Sequence, residues 1–126
     1  MKLTRESIMS MQPGRELDIE IARLLGHDIQ MIAAFQDEQP KARIKLDGGS
    51  IPVPHYSFVI SAAWEVVEHW GYSARVGYQG TDCFCNIMIG FDDGGKPIYG
   101  DIDGCKSVPE AICKAALLAK LEADEE

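Results

Sequence analysis

The sequence predicts a single α+β domain. Apolar residues recur at helical spacing in three stretches, they alternate along two later runs, and a Gly-rich turn follows the second run. At 126 residues, of which 46% are hydrophobic and 25% charged, the chain has an ordinary globular composition. A domain spanning residues 1–126 is therefore large enough to bury a core without disulfides or metal.

Two helices are predicted near the start. Thr4 can cap a first helix that runs to Met11, and Pro13-Gly14 breaks it. The next stretch, RELDIEIARLLG, places Leu17, Ile21, Leu24 and Leu25 on one stripe. Gly26 then supplies a stop, because glycine readily takes the positive φ of a helix C-terminus.

Residues 27–54 are predicted to be an irregular or variable segment. Within it, IQMIAAF is compatible with either a strand or a continued helix. ARIKL alternates apolar and basic side chains, which is typical of an amphipathic edge strand. Asp47-Gly48-Gly49 and the prolines at 52 and 54 indicate turns and extended chain.

The stretch HYSFVISAAWEVVEHWGY, residues 55–72, is rich in aromatic side chains. With Ser57 as N-cap and Gly71 as stop, it reads as an amphipathic helix. The predicted buried stripe consists of Ile60, Ala63, Trp64, Val67 and Trp70. Because a tryptophan at helical spacing more often packs than recognises a ligand, we predict that these aromatics belong mostly to the core.

Three strands are predicted next. YSARVGY starts at Tyr72, CFCNIMIGF is apolar on both faces and therefore requires cover on both, and DDGGK forms a hairpin turn into PIYGDID. The result is a mainly antiparallel sheet of about three strands.

The last predicted element is a helix that opens with a Ser107-to-Glu110 capping box. Its continuation, AICKAALLAKLEA, is apolar around most of its circumference and should be largely buried. Lys114, four residues after Glu110, fits a narrow exposed edge. Residues 123–126 form an acidic tail that we expect to be frayed.

Three separated stretches carry a family resemblance. They are GRELDIEIARLLG, PHYSFVISAAWEVVEHW and SVPEAICKAALLAKL. In order and spacing they are similar to the helices of the phage ABA sandwich domain, a family of small phage and prophage proteins. The resemblance implies an α/β/α sandwich with its sheet packed between helices, and a phage or prophage origin. It supplies no catalytic residues, because no activity is established for the family. Residues 27–50 hold no motif that aligns, and Phe58 stands where the family commonly has threonine.

Charge and composition limit the kinds of partner that the protein can bind and indicate its cellular compartment. The net charge is −8, and residues 57–126 hold 12 acidic against 5 basic side chains. Such a surface repels phosphate backbones, so binding to duplex nucleic acid or to membranes is disfavoured. No apolar run is long enough to span a membrane, and residues 1–11 lack a secretory h-region. We therefore expect the cytoplasm of the bacterial host, with all four cysteines reduced.

No metal site is predicted. Cys83 and Cys85 lie on one strand face, and Cys105 and Cys113 could complete a tetrahedral set, but structural zinc usually draws on C-x2-4-C pairs from turns. Small core residues are the favoured interpretation. The stretch beginning at Asp101 resembles the start of an EF-hand loop, yet its twelfth position is Ile112 rather than a bidentate glutamate.

No catalytic residues and no cofactor are predicted either. None of the histidines at 27, 55 and 69 stands in a motif with a nucleophile, and neither familiar phosphate-loop spacing occurs. These absences favour a protein that is not an enzyme.

Two functions from different classes follow. The first is a noncatalytic protein-interaction module that docks to a host or phage protein, through residues 27–54 or through acids of the second half. The candidate acids are Asp92, Asp93, Asp101 and Asp103. The alternative is a module that binds a nucleotide or metabolite between the sheet and a helix, with Arg75, Tyr78 and His55 as candidate contacts. A homodimer paired through ARIKL or the third strand is a further expectation.

Overall fold

A computed structural model describes residues 4–32, 41–70 and 73–124. Those ranges form four helices and two three-stranded antiparallel sheets. The helices are α1 (Arg5–Ser10), α2 (Arg15–Leu24), α3 (Ile60–Trp70) and α4 (Val108–Asp124). The strands are β1 (Ile29–Ile32), β2 (Lys41–Leu46), β3 (Gly49–Pro52), β4 (Ser73–Gln79), β5 (Asp82–Phe91) and β6 (Pro97–Cys105). The architecture is an α+β sandwich, as predicted.

The first two helices begin and end close to the predicted residues. Thr4 and Ser7 form a reciprocal capping box at the start of α1. In α2, Leu17 and Ile21 are fully buried, while Leu24 and Leu25 are partly buried against the core. Gly26 follows with a φ of 89°, the conformation that makes glycine an effective helix stop.

The larger sheet has the order β4-β5-β6, with both pairings antiparallel as predicted. The predicted hairpin turn is present, and Asp92 Oδ1 accepts hydrogen bonds from the amides of Gly94 and Lys96, each at 2.9 Å. On the inner face of β5, Cys83, Cys85 and Ile87 are buried, whereas the outer face is partly exposed. Tyr72, the predicted start of β4, lies outside the described residues.

A second sheet, of order β1-β2-β3, occupies the segment predicted to be irregular. ARIKL is a strand, as predicted, and IQMI is a strand rather than a continued helix. However, β2 is the central strand and not an edge, so the expectation of dimer pairing through ARIKL does not hold. β1 and β3 have four residues each, too few for a clear alternation in the sequence.

Helix α4 is the centre of the packing. It contacts β4, β5 and β6 of the larger sheet and also α1, α2 and α3. Every residue from Pro109 to Ala119 is buried, which explains why this helix is apolar nearly all round. The helix continues through Ala123 and Asp124, two residues of the predicted frayed tail; residues 125 and 126 lie outside the described ranges.

The prediction that Lys114 is exposed is wrong, because this side chain is 95% buried inside the α4 packing. Its Nζ lies 2.9 Å from Glu110 Oε2 and donates to Met9 O at 3.1 Å. The predicted cap is present: Ser107 Oγ accepts from Glu110 N, and Glu110 Oε1 accepts from Lys106 N. Glu110 thus caps the helix with one oxygen and pairs with Lys114 through the other.

Strand β6 approaches α4 at Gly100. A Cβ atom built on Gly100 would overlap Ala115 O and come within 2.7 Å of Ala119 N. Both alanines are fully buried. Small residues on the two elements therefore allow the sheet and the helix to meet backbone to backbone.

The predicted buried stripe of α3 is partly wrong. Ala63 is fully buried and Val67 is partly buried, but Ile60 is 50% exposed and Trp64 43% exposed. The face that packs inward includes Val66, which is fully buried. Apolar residues fill nearly every position of FVISAAWEVV, so helical spacing alone is compatible with two different buried faces. In the structure α3 packs against α4, and the buried face is the one with the smaller side chains. The side chain of Trp70 and residue Gly71 lie outside the described part.

Candidate functional site

A cavity of about 580 Å³ lies beside the N-terminal half of α2. It is lined by Gly14, Arg15, Asp18, Ile19, Ala42, Arg43, Pro52, Val53, His55 and Phe58. These residues come from α2, the small sheet and the chain that leads into α3. We call it the α2–β2 cavity.

Asp18 ties the walls of the cavity together. Its Oδ1 accepts hydrogen bonds from Ser57 N at 2.8 Å and from Ser57 Oγ at 2.7 Å. The same hydroxyl accepts from Gly14 N at 2.8 Å, so it links the start of α2 to the chain before α3. Asp18 is 4% exposed and Ser57 fully buried, which makes this connection part of the interior.

Ser57 therefore does not serve as the predicted N-cap, since α3 begins three residues later at Ile60. The Ser57 hydroxyl instead accepts from Gly14 N and donates to Asp18 Oδ1, so it stabilises the start of α2. Residues 56–58 form a turn before α3.

The Asp18, His55 and Ser57 side chains have the composition of a catalytic triad but not its geometry. His55 Nδ1 lies 3.8 Å from Asp18 Oδ2, while the Ser57 hydroxyl donates to the other oxygen of the same carboxylate. In a triad the imidazole lies between acid and hydroxyl in order to take the hydroxyl proton. In this arrangement the carboxylate occupies the middle, so the group holds the loop and does not activate a nucleophile.

Basic groups dominate the charge of the lining. Among the described lining residues, Arg15, Arg43 and His55 are basic and Asp18 is acidic, although the whole chain carries a net charge of −8. Arg43 is held in place by Ser50: Nε donates to Ser50 Oγ at 2.8 Å and Nη2 donates to Ser50 O at 3.1 Å. The described lining is thus richer in basic side chains than the chain as a whole.

Of the residues predicted from sequence as small-molecule contacts, the structure places His55 at the cavity. Arg75 and Tyr78 lie on β4 and are exposed, and Tyr78 is 71% exposed. The lining does not include either of them.

The four candidate acids are separated along one hairpin. Asp92 is engaged in its own turn, and Asp93 is exposed beside it. Asp101 and Asp103 are exposed on the outer side of β6, so Asp103 lies six residues, or about 20 Å of strand, beyond Pro97 at the turn. The turn acids and the strand acids therefore do not form one compact patch.

Sequence reasoning missed Arg15, Asp18, Arg43 and Phe58 as residues of the site. Asp18 carried a usable signal, because it lies at the edge of the apolar stripe of α2, three residues before Ile21 and seven before Leu25. A carboxylate in such a stripe is buried and needs hydrogen-bond donors. The arginines and Phe58 carried no comparable signal, since nothing local shows which strand ends meet α2.

All four cysteines are buried and free. Burial raises the pKa of Cys85 to about 12 and of Cys105 to about 11, and it raises that of Cys113 well above 9.0. No group of three or more His, Cys, Asp or Glu residues that could hold a metal occurs within residues 4–32, 41–70 and 73–124. In this environment the thiols of Cys85, Cys105 and Cys113 stay protonated and act as packing groups.

The described helices include none that is long and apolar enough to cross a membrane.

Comparison with known proteins places this geometry in a family. No curated protein matches the chain. The crystal structure of a phage protein from Bacillus cereus ATCC 14579 is similar, with a TM-score of 0.62 and 28% sequence identity over 87% of this chain and 93% of that one. The family model of the phage ABA sandwich domain matches residues 21–117. The chain therefore belongs to the phage ABA sandwich domain family.

Proposed function

We propose that this phage-family domain is a noncatalytic binding module that holds a small molecule in the α2–β2 cavity. The observation that carries the proposal is the cavity itself, whose volume of about 580 Å³ suits a nucleotide- or metabolite-sized ligand. Ile19, Pro52, Val53 and Phe58 supply apolar walls, and a few polar side chains accompany them. This combination is typical of ligand sites, in which carbon surface gives affinity and a few polar groups give orientation.

The chemistry of the polar groups favours binding over bond-making. The Ser57 hydroxyl is fully buried and engaged with Asp18 and Gly14. Asp18 uses one oxygen for two hydrogen bonds from Ser57, so its role is to position the chain. Arg15, Arg43 and His55 line the cavity, and side chains of these types are suited to recognising a ligand.

The test is native mass spectrometry of gently purified protein, followed by melting shifts against nucleotides and common metabolites. The matched variants are Ile19→Trp, which fills the cavity from a half-exposed position on α2, and Ile19→Ala, which leaves it open. We expect retained ligand mass or a melting shift in the wild type and in Ile19→Ala, and its loss in Ile19→Trp. Shifts that are equal in all three proteins would place the ligand elsewhere and contradict the proposal.

A second candidate is docking to a host or phage protein. It is favoured by an exposed apolar run next to the cavity, in which Phe58 is 62%, Val59 43% and Ile60 50% exposed. Trp64 follows Ile60 by one helical turn and is 43% exposed. Because Arg15 and Arg43 adjoin this run, the partner surface we propose is acidic with apolar side chains.

If this second candidate is correct, a partner protein binds through the exposed apolar residues beside the cavity. Substitutions among those residues should abolish binding of the partner, and a substitution of a remote apolar residue should not. The double variant Ile60→Ser/Trp64→Ser should abolish its recovery, whereas Tyr99→Ser, on the outer face of β6, should not. A partner recovered equally with both variants, or one with a basic docking segment, would count against it.

A further inference from the structure

We propose that the ligand of the α2–β2 cavity carries an anionic group, a carboxylate or a phosphate, attached to an apolar body. This inference rests on the proposed function and names the class of molecule that the cavity takes. The anionic end meets the arginines, and the apolar end meets Ile19, Val53 and Phe58.

The charge distribution gives the first reason. The chain carries a net charge of −8, yet the described lining of the cavity holds Arg15, Arg43 and His55 with one carboxylate. That carboxylate, Asp18, already accepts two hydrogen bonds from Ser57 on one of its oxygens. Two guanidinium groups beside one carboxylate favour an anionic ligand at this place over a cationic one.

The orientation of Arg43 gives the second reason. Ser50 takes the Nε–H and one Nη2–H of its guanidinium, which fixes the plane of the group. A guanidinium has five N–H donors, so further donors remain for another acceptor. Carboxylates and phosphates are the acceptors that match this fork, and a guanidinium that is already oriented loses less freedom when it binds them.

The apolar walls give the third reason. Phe58 lines the cavity and remains 62% exposed, which leaves its ring available to a ligand. Pro52 and Val53 add carbon surface from the end of β3. A small inorganic anion would leave these walls bare, so the site suits an organic anion and not free phosphate.

The experiment compares two probes that differ by one charge. 8-Anilinonaphthalene-1-sulfonate has an anionic group on an aromatic body, and N-phenyl-1-naphthylamine has the same rings without the sulfonate. Fluorescence titration should show at least tenfold tighter binding of the sulfonate. Arg43→Gln should weaken the sulfonate at least fivefold and leave the neutral probe unchanged, and Arg23→Gln, at the far end of α2, should alter neither.

The outcomes separate this inference from the proposed function. One outcome is that both probes bind the wild type equally, that Ile19→Trp abolishes binding of both, and that Arg43→Gln changes the binding of neither. The cavity then binds ligands, but the anionic class is wrong. If Ile19→Trp affects neither probe, the cavity is not the site and the proposed function fails with it. Should Arg43→Gln not fold, Arg15→Gln, at an exposed position, provides the same comparison.

Competition then assigns the source of the anion. Displacement of the sulfonate probe by adenosine monophosphate but not by 3-phenylpropionate indicates a phosphate ligand, and the reverse indicates a carboxylate. Displacement by adenosine and 3-phenylpropionamide, the neutral counterparts, with equal strength would overturn the anionic class.

Discussion

Asp18 of α2 accepts two hydrogen bonds from Ser57 on one carboxylate oxygen, at 2.8 Å from the amide and 2.7 Å from the hydroxyl. The two residues are 39 positions apart in the chain, and both are buried. This contact joins α2 to the chain before α3, and Asp18 itself lines the α2–β2 cavity.

Removing the carboxylate should therefore destabilise the domain. Asp18→Ala leaves a buried amide and a buried hydroxyl without their acceptor, at an expected cost of about 2–4 kcal/mol in the free energy of unfolding. Urea denaturation measures this change. Glu16→Ala, an exposed acid in the same turn, should stay within about 0.5 kcal/mol, and equal losses in both variants would contradict the assigned role of Asp18.

The buried pair of Lys114 and Glu110 should be costly to break. Lys114→Met leaves the Glu110 charge buried without its partner, so we expect a loss of about 3–5 kcal/mol. The matched control is Lys120→Met, whose pair with Asp124 is exposed and should contribute less than about 1 kcal/mol. Urea unfolding of the two variants compares these losses directly. Similar losses would show that burial does not determine how much each ion pair contributes to stability.

Gly100 should not tolerate a methyl group. In Gly100→Ala the new Cβ would overlap the Ala115 carbonyl, and separating β6 from α4 should cost about 1–3 kcal/mol or more. Thermal unfolding gives the measurement. Gly49→Ala, where a Cβ would meet nothing within 4 Å, serves as the control; a wild-type melting temperature in Gly100→Ala would disprove the close approach.

The aromatic residues before and within α3 should differ sharply in their contribution to stability. Tyr56 is 1% exposed, so Tyr56→Ala should lose about 3–5 kcal/mol, the range for a large buried aromatic. Trp64 is 43% exposed, and Trp64→Ala should lose less than about 1.5 kcal/mol, because little of its surface is removed from water. Chemical denaturation ranks the two. A larger loss of stability in Trp64→Ala than in Tyr56→Ala would support the buried stripe predicted from the sequence.

The buried thiols and Tyr56 should make the domain sensitive to alkaline pH. Burial raises the pKa of Cys85 from 9.0 to about 12 and that of Tyr56 from 10.0 to about 12. At a pH between the ordinary pKa and the raised pKa, these groups keep their protons in the folded state and lose them in the unfolded chain. The free energy of unfolding therefore falls as pH rises from about 9 to 12. This contribution is fully present below pH 9.

Comparison with Cys85→Ala isolates the thiol in that experiment. The variant should lose stability less steeply than the wild type over the same pH range, as measured by urea denaturation at each pH. Parallel curves for the two proteins would show that Cys85 does not titrate differently on unfolding.

Elements with local signals were predictable. The β5–β6 hairpin follows from DDGGK and the two flanking runs, and α4 follows from its cap and its apolar composition. Each of these patterns involves residues that are close in sequence, so it can be recognised without knowledge of the fold. The family resemblance also rested on such helices, and the family model confirms it.

The tertiary structure decided which faces are buried and where a ligand could bind. The sequence by itself determined the four helices, the antiparallel hairpins of the larger sheet and the acidic net charge. It did not determine the inward face of α3, the burial of Lys114 or the pairing of β1 with β2, because each depends on what a distant element presents. The α2–β2 cavity depends on this most, since it exists only where residues 14–19, 42–43 and 52–58 are brought together.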